Sequence, residues 1–125
     1  MMKYEKLTHK IIGCSYEVYN ELGYGFLESV YEKCLVIELQ RAGLSFKEQE
    51  PIMVCYKHEK VGRFIADVLV ENAVILELKS VSQLLKEHEV QLVNYLNATQ
   101  KDVGLLINFG EHKVEVKRKL RALPY

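Results

Sequence analysis

The sequence predicts an α/β fold, a mixed β-sheet with helices packed on it, on three observations. Three segments carry apolar side chains at helical spacing, near residues 4–22, 26–42 and 84–98. Five carry strand patterns, near 44–56, 61–70, 74–81, 103–109 and 112–119. The order is helix, helix, three strands, helix, two strands, without long linkers or repeats, so one domain over residues 1–125 is expected.

In the first helix Leu7, Ile11, Cys14, Val18 and Leu22 recur every three or four residues and mark one face. Gly23 and Gly25 break it. The second helix has a stripe of Leu27, Val30, Tyr31, Cys34, Leu35 and Leu39, with Gly43 placed to cap its end. Ile52, Val54 and Tyr56 then alternate as in a strand, and the charged residues Lys57 to Lys60 read as a hairpin turn. Two β-rich runs follow, joined tightly around Asn72. After the third helix, residues 103–109 are nearly all apolar and read as a strand buried on both faces. The last strand alternates Val114 and Val116 with charges, as an exposed edge does. Prolines stand only at Pro51 and Pro124, so little interrupts this series.

Bulk composition narrows the function. Nearly half of the chain is apolar and 27% is charged, an ordinary globular balance. Lys plus Arg equals Asp plus Glu at 17 each, so no global positive field draws in a polyanion. Cys14, Cys34 and Cys55 form no CxxC pair, which predicts reduced thiols and no structural zinc. There is no apolar leader and no run near the about 20 residues that span a bilayer. A cytoplasmic protein without a membrane partner is expected.

The chemistry concentrates in residues 64–80. If the hairpin turns symmetrically on Asn72, Val70 faces Val74 and Asp67 faces Glu77. Opposed residues on one face have Cβ atoms about 5 Å apart. Lys79 lies two residues beyond Glu77 and projects from the same face, roughly 7 Å along. Ile65, Leu69 and Ile75 should share that face, with Ala66, Val68, Val70, Val74, Leu76 and Leu78 on the other. Two carboxylates in such surroundings repel, and one tends to take up a proton. A divalent cation held by carboxylates, a backbone carbonyl and water removes that repulsion. A buried Asp–Lys or Glu–Lys ion pair fits the same spacing, and spacing alone does not separate the two.

These residues carry a resemblance. Asp67, nine residues, then Glu77, Leu78 and Lys79 resemble the PD-(D/E)XK nuclease core, with Ala66 where the motif's name has proline. Upstream, Gly25, Glu28 and Tyr31 spell the signature of the small GxxExxY proteins grouped with that superfamily. Downstream, Gln91 and Tyr95 are similar to the Q-x-x-x-Y element of RecB-like nucleases. The resemblance implies a restriction-endonuclease-like core (αβββαβ) with an extra N-terminal helix. It implies that Asp67, Glu77 and the Leu78 carbonyl hold one or two Mg²⁺ ions, with Mn²⁺ as a substitute, and that Glu28 approaches the same metal. Lys79 would then orient the attacking water or stabilise charge developing beside it. Gln91 and Tyr95, one turn apart, would contact substrate or brace the site, with His88 extending that helix face.

Each residue also has a plain structural reading. The helix dipole favours Glu28 in a first turn, and Tyr95 suits a core. Gln91 would satisfy a buried backbone group, and His88 a local hydrogen bond. Two basic clusters, Lys57–His58–Lys60–Arg63 and Lys113–Lys117–Arg118–Lys119–Arg121, are phosphate-binding candidates or ordinary solvated surface, the tail being the stronger. The expected function is metal-dependent hydrolysis of DNA or RNA phosphodiesters, with substrate grip supplemented by a homodimer or a partner protein. The alternatives are an inactive nuclease-fold module that binds nucleic acid or a protein, and a hydrolase of a small phosphoester.

Overall fold

The computed structural model describes residues 3–121, which leaves Pro124 outside the described residues. The chain runs α1 (Glu5–Leu22), α2 (Glu28–Arg41), β1 (Phe46–Tyr56), β2 (Glu59–Val70), β3 (Val74–Lys79), α3 (Lys86–Thr99), β4 (Val103–Phe109) and β5 (Val114–Leu120). The five strands form one sheet in sequence order. Pairing is antiparallel except between β3 and β4, which run parallel and are joined through α3. The expected mixed sheet and element order are therefore present.

Two clusters of buried side chains lie on the two faces of the sheet. The larger joins Ile11 and Val18 of α1, Tyr31, Leu35 and Leu39 of α2, and Val68, Leu76, Leu78, Leu105 and Phe109 of the strands. The smaller packs Leu92, Tyr95 and Leu96 of α3 on Ile52, Ala66, Leu69, Ile75 and Leu106. Every residue of β4 is buried, as a strand covered on both faces must be. No helix among the described residues is long and apolar enough to cross a membrane.

Element ends show local chemistry that periodicity misses. At the end of α2, Gly43 takes φ 78°, its N–H donates to the Gln40 carbonyl at 3.0 Å, and the Leu44 N–H donates to the Leu39 carbonyl at 3.0 Å. This is the paired bonding of a Schellman cap, with glycine where the left-handed backbone is needed. The β1–β2 turn is tighter than its four charged residues suggested. Lys57 and His58 alone occupy it with φ 48° and 70°, the geometry of a two-residue primed turn. β3 stops at Lys79 and not at Val81. The Asn108 side chain takes over there, accepting from the Val81 N–H at 3.0 Å and donating to the Val81 carbonyl at 2.9 Å.

β4 approaches α3 closely at Gly104. A Cβ added there would sit 2.8 Å from Leu92 Cδ1 and 3.2 Å from the Ile75 carbonyl oxygen. Gly104→Ala is therefore expected to destabilise the protein by about 1–3 kcal/mol through overpacking, although alanine is otherwise the better strand residue. A urea titration checks this, and an unchanged midpoint would mean that α3 shifts freely on the sheet.

Candidate active site

Asp67 stands where β2 parts from β3. The β2–β3 ladder runs from Val70↔Val74 to Val68↔Leu76 and goes no further. At the next position the side chains replace the main chain. The Leu78 N–H donates to Asp67 Oδ2 at 2.7 Å, and the Asp67 N–H donates to Glu77 Oε1 at 3.4 Å. Each carboxyl thus satisfies a main-chain N–H at the point where the β2–β3 ladder ends. On the other side of β2, Gln49 faces Asp67 with φ 54° and interrupts the β1 pairing between Glu48↔Val68 and Glu50↔Ala66. The strand loses its alternation there. Ala66 packs with Leu69 on the α3 face, against expectation, and Ile65 is 42% exposed. The rest of the predicted two-face assignment holds, because Asn72 centres the turn as the sequence indicates.

Glu77 is buried, and Asp67 and Lys79 are half-buried. Burial and then the charge of Asp67 push the Glu77 carboxyl up to about 8, despite the Asp67 N–H and Lys79. Burial also raises Asp67, opposed by the Leu78 N–H and Lys79 and reinforced by the charge of Glu28. Among the described residues neither carboxyl has a cation within 4 Å. Lys79 acts on them through space, without an ion pair.

Glu28 opens α2 as its first residue and is exposed, yet its charge reaches both carboxyls. Two side chains hold the loop before it. Ser80 Oγ at the end of β3 donates to the Phe26 carbonyl at 2.8 Å. The Tyr31 hydroxyl donates to the Gly23 carbonyl and accepts from the Phe26 N–H, while its ring stacks on Phe109 with centroids 4.3 Å apart. Gly25, with φ 116°, lets the chain make the bend between these anchors. Tyr31→Phe keeps the stacked ring and orphans the Gly23 carbonyl, so about 1–3 kcal/mol of stability is expected to be lost. Chemical denaturation measures it, and a neutral result would show that water replaces the hydroxyl.

Tyr95 is buried in the α3 cluster, and its hydroxyl is raised by burial and by the charges of Glu77 and Asp67. Gln91 is exposed one turn earlier. His88 Nδ1 accepts the Leu85 N–H at 3.0 Å and so caps the start of α3. Three of the five tail cations are engaged elsewhere. Lys119 pairs with Glu89 at 2.5 Å, Arg121 with Asp102 at 2.9 Å, and Arg118 donates to the Lys3 carbonyl.

Sequence reasoning missed Glu32 and its partners. Glu32 is 8% exposed and accepts from Gln49 Nε2 at 2.8 Å. Burial and a hydrogen bond with Glu48 push it up to about 7, and the charge of Asp67 adds to this. The signal was present, since Glu32 lies four residues after Glu28 inside the apolar stripe of α2.

The sequence profile of the PD-(D/E)XK nuclease superfamily matches residues 5–119. The chain belongs to that superfamily. The crystal structure of SSO0001 superimposes with a TM-score of 0.61 at 19% identity, covering 97% of this chain and 61% of that one. This likeness shows the fold alone, and the chain spans less than two thirds of that protein. No curated protein matches the chain.

PD-(D/E)XK nucleases bind nucleic acid and generally use divalent metals. The donor set here fits such a cation, because both carboxyls are raised by burial, the charge of Asp67 raises Glu77 further, and neither has a cation within 4 Å among the described residues. Among the described residues no three His, Cys, Asp or Glu side chains converge as a ready-made cage. Protein ligation would therefore come from Asp67, Glu77 and backbone oxygen, with water completing the shell, an arrangement that suits Mg²⁺.

Proposed function

We propose that the chain is a metal-dependent nuclease of the GxxExxY group that hydrolyses DNA or RNA phosphodiester bonds with Mg²⁺, or with Mn²⁺ in its place. The observation that carries this reading is the Asp67–Glu77 pair, two carboxyls held together away from water with no cation within 4 Å among the described residues. A purely structural ion pair would set the Lys79 ammonium on one of them. Asp67, Glu77 and the Leu78 carbonyl hold the metal, with Glu28 reaching it directly or through water. When bound, the cation lowers the pKa of water and neutralises charge on the scissile phosphate. Lys79 orients the attacking water or stabilises the charge that develops in the transition state. Gln91 and Tyr95 lie on the substrate side of the site.

The test is a panel of single-stranded DNA, duplex DNA and RNA, incubated in EDTA, Mg²⁺ and Mn²⁺ with wild type and Asp67→Asn. Cleavage is expected only with metal, and the folded variant should lose at least about a hundred-fold. Equal activity in Asp67→Asn, or cleavage surviving EDTA, overturns the assignment. Absence of cleavage from every wild-type reaction would favour a non-catalytic nuclease-fold module.

A further inference from the structure

Beyond β3, the paired strands β1 and β2 continue as an arm beside α3. β2 pairs with β3 only at residues 68–70, whereas its pairing with β1 extends to Tyr56↔Glu59. Between this arm and α3 lies a groove of about 780 Å³, walled by Val54, Phe64, Val90 and Tyr95 and bordered by Gln91 and Asn94. Phe64 is 44% exposed, and its ring tilts against Tyr95 at 5.5 Å between centroids. Tyr95 also packs with Leu69 and Ile75 on the strands that carry Asp67 and Glu77, and its hydroxyl feels the charges of both. Groove and carboxyls thus share a wall.

The geometry points to this groove as a nucleobase site, in which a base of a single-stranded substrate stacks on Phe64 while an adjoining phosphate reaches Asp67 and Glu77. The inference rests on the nuclease reading and adds its substrate class. Three features favour a base over a phosphate or an apolar peptide. The half-exposed aromatic face is a platform that any base can use. The Gln91 and Asn94 amides offer donors and acceptors to a base edge, which an apolar side chain would leave unmet. Lys86 and Glu87 at the rim cancel in charge, so the mouth does not select an anion. The chain as a whole carries no net charge, and two of its five tail cations, Lys119 and Arg121, are held in ion pairs. Binding that relies on stacking suits such a protein better than the many phosphate contacts of a duplex clamp. Bases paired in a duplex are stacked on one another and do not present a free face.

The test uses the full chain with fluorescein-labelled twelve-nucleotide single strands of DNA and RNA, and the matching duplexes, in Ca²⁺ to hold off cleavage. Fluorescence anisotropy is expected to show single strands bound more tightly than duplex. Phe64→Ala should weaken single-strand binding about ten-fold or more, and Phe64→Trp should restore it. An oligonucleotide whose bases are replaced by abasic sites should bind wild type as poorly as Phe64→Ala binds the normal strand, with no further loss in the variant. Mn²⁺ affinity is the control that the carboxyls are intact. Equal single-strand affinity in wild type and Phe64→Ala, equal affinity for normal and abasic strands, or no single-strand binding at all would each overturn the base site. Failure of the two readings is distinguishable. Phe64-dependent binding by a protein that cleaves nothing supports the groove and removes the nuclease, whereas cleavage indifferent to Phe64 does the reverse.

Discussion

Lys79→Ala is expected to lower metal-dependent cleavage by about a hundred-fold to a thousand-fold while leaving the fold and Mn²⁺ binding in place. The fold should survive because Lys79 is half-buried and has no carboxylate within 4 Å among the described residues, so its removal orphans no partner. The rate should fall because its positive charge stands beside Glu77 on the same strand, where a phosphodiester would develop negative charge. Two origins of that loss can be separated. Lys79 also lowers the proton affinity of Asp67 and Glu77, so its removal raises both carboxyls further. If that were its whole contribution, raising the pH would return the variant to the wild-type rate. If Lys79 acts on the water or the transition state, the deficit persists on the plateau at high pH. A pH–rate profile of both proteins decides, and a variant as fast as wild type across the range would remove Lys79 from the mechanism.

What the sequence reveals about this site follows from which forces are periodic. Val70 and Val74 around Asn72 determine the hairpin register, and that register carries Asp67 to Glu77 whatever the rest of the chain does. The β4 run is legible because a strand covered on both faces has no polar side to show. The departures come from single backbone or side-chain events with no period. Gln49 adopts a left-handed conformation that nothing in its neighbours announces, and the alternation that should bury Ile65 fails beside it. His88 also caps its own helix start through Nδ1, a local bond that its spacing does not announce. Of the tail cations, which look like a patch in one dimension, Lys119 and Arg121 pair with Glu89 and Asp102, residues distant in sequence. Glu32 had a sequence signal in its place four residues after Glu28 on α2, but its partner Gln49 comes from a separate strand 17 residues further on.

The same buried carboxyls should make metal-free protein less stable as the pH rises, which is the reverse of ordinary acid denaturation. Glu77 has an ordinary value of 4.5 and is pushed up to about 8 in the folded chain, so between these limits the folded state keeps a proton that the unfolded state releases. The resulting stability is fully present below pH 4.5 and is lost as the pH passes 8, at a slope approaching about 1.4 kcal/mol per pH unit. Glu32, pushed up to about 7, acts in the same direction over the lower part of that window. The depressed carboxyls Glu48, Glu71, Glu89 and Asp102 work the other way, but only as the pH falls towards and below their ordinary range. Urea midpoints from pH 5 to 8.5 in EDTA should therefore decline in wild type. They should decline less in Glu77→Gln, which retains only the contributions of Glu32 and of Asp67, itself raised by burial. Metal should oppose the trend, because a cation on Glu77 must displace its proton. Mn²⁺ affinity is then expected to rise up to ten-fold per pH unit below about pH 8, with about one proton released per ion at pH 7. Calorimetry in buffers of differing ionisation enthalpy counts that proton, and Glu77→Gln should release none from this position. A flat stability profile and proton-free binding would mean that Glu77 is already ionised without metal. Water or another cation would then be reaching it, and the carboxyl pair would have lost the frustration from which its metal affinity is argued.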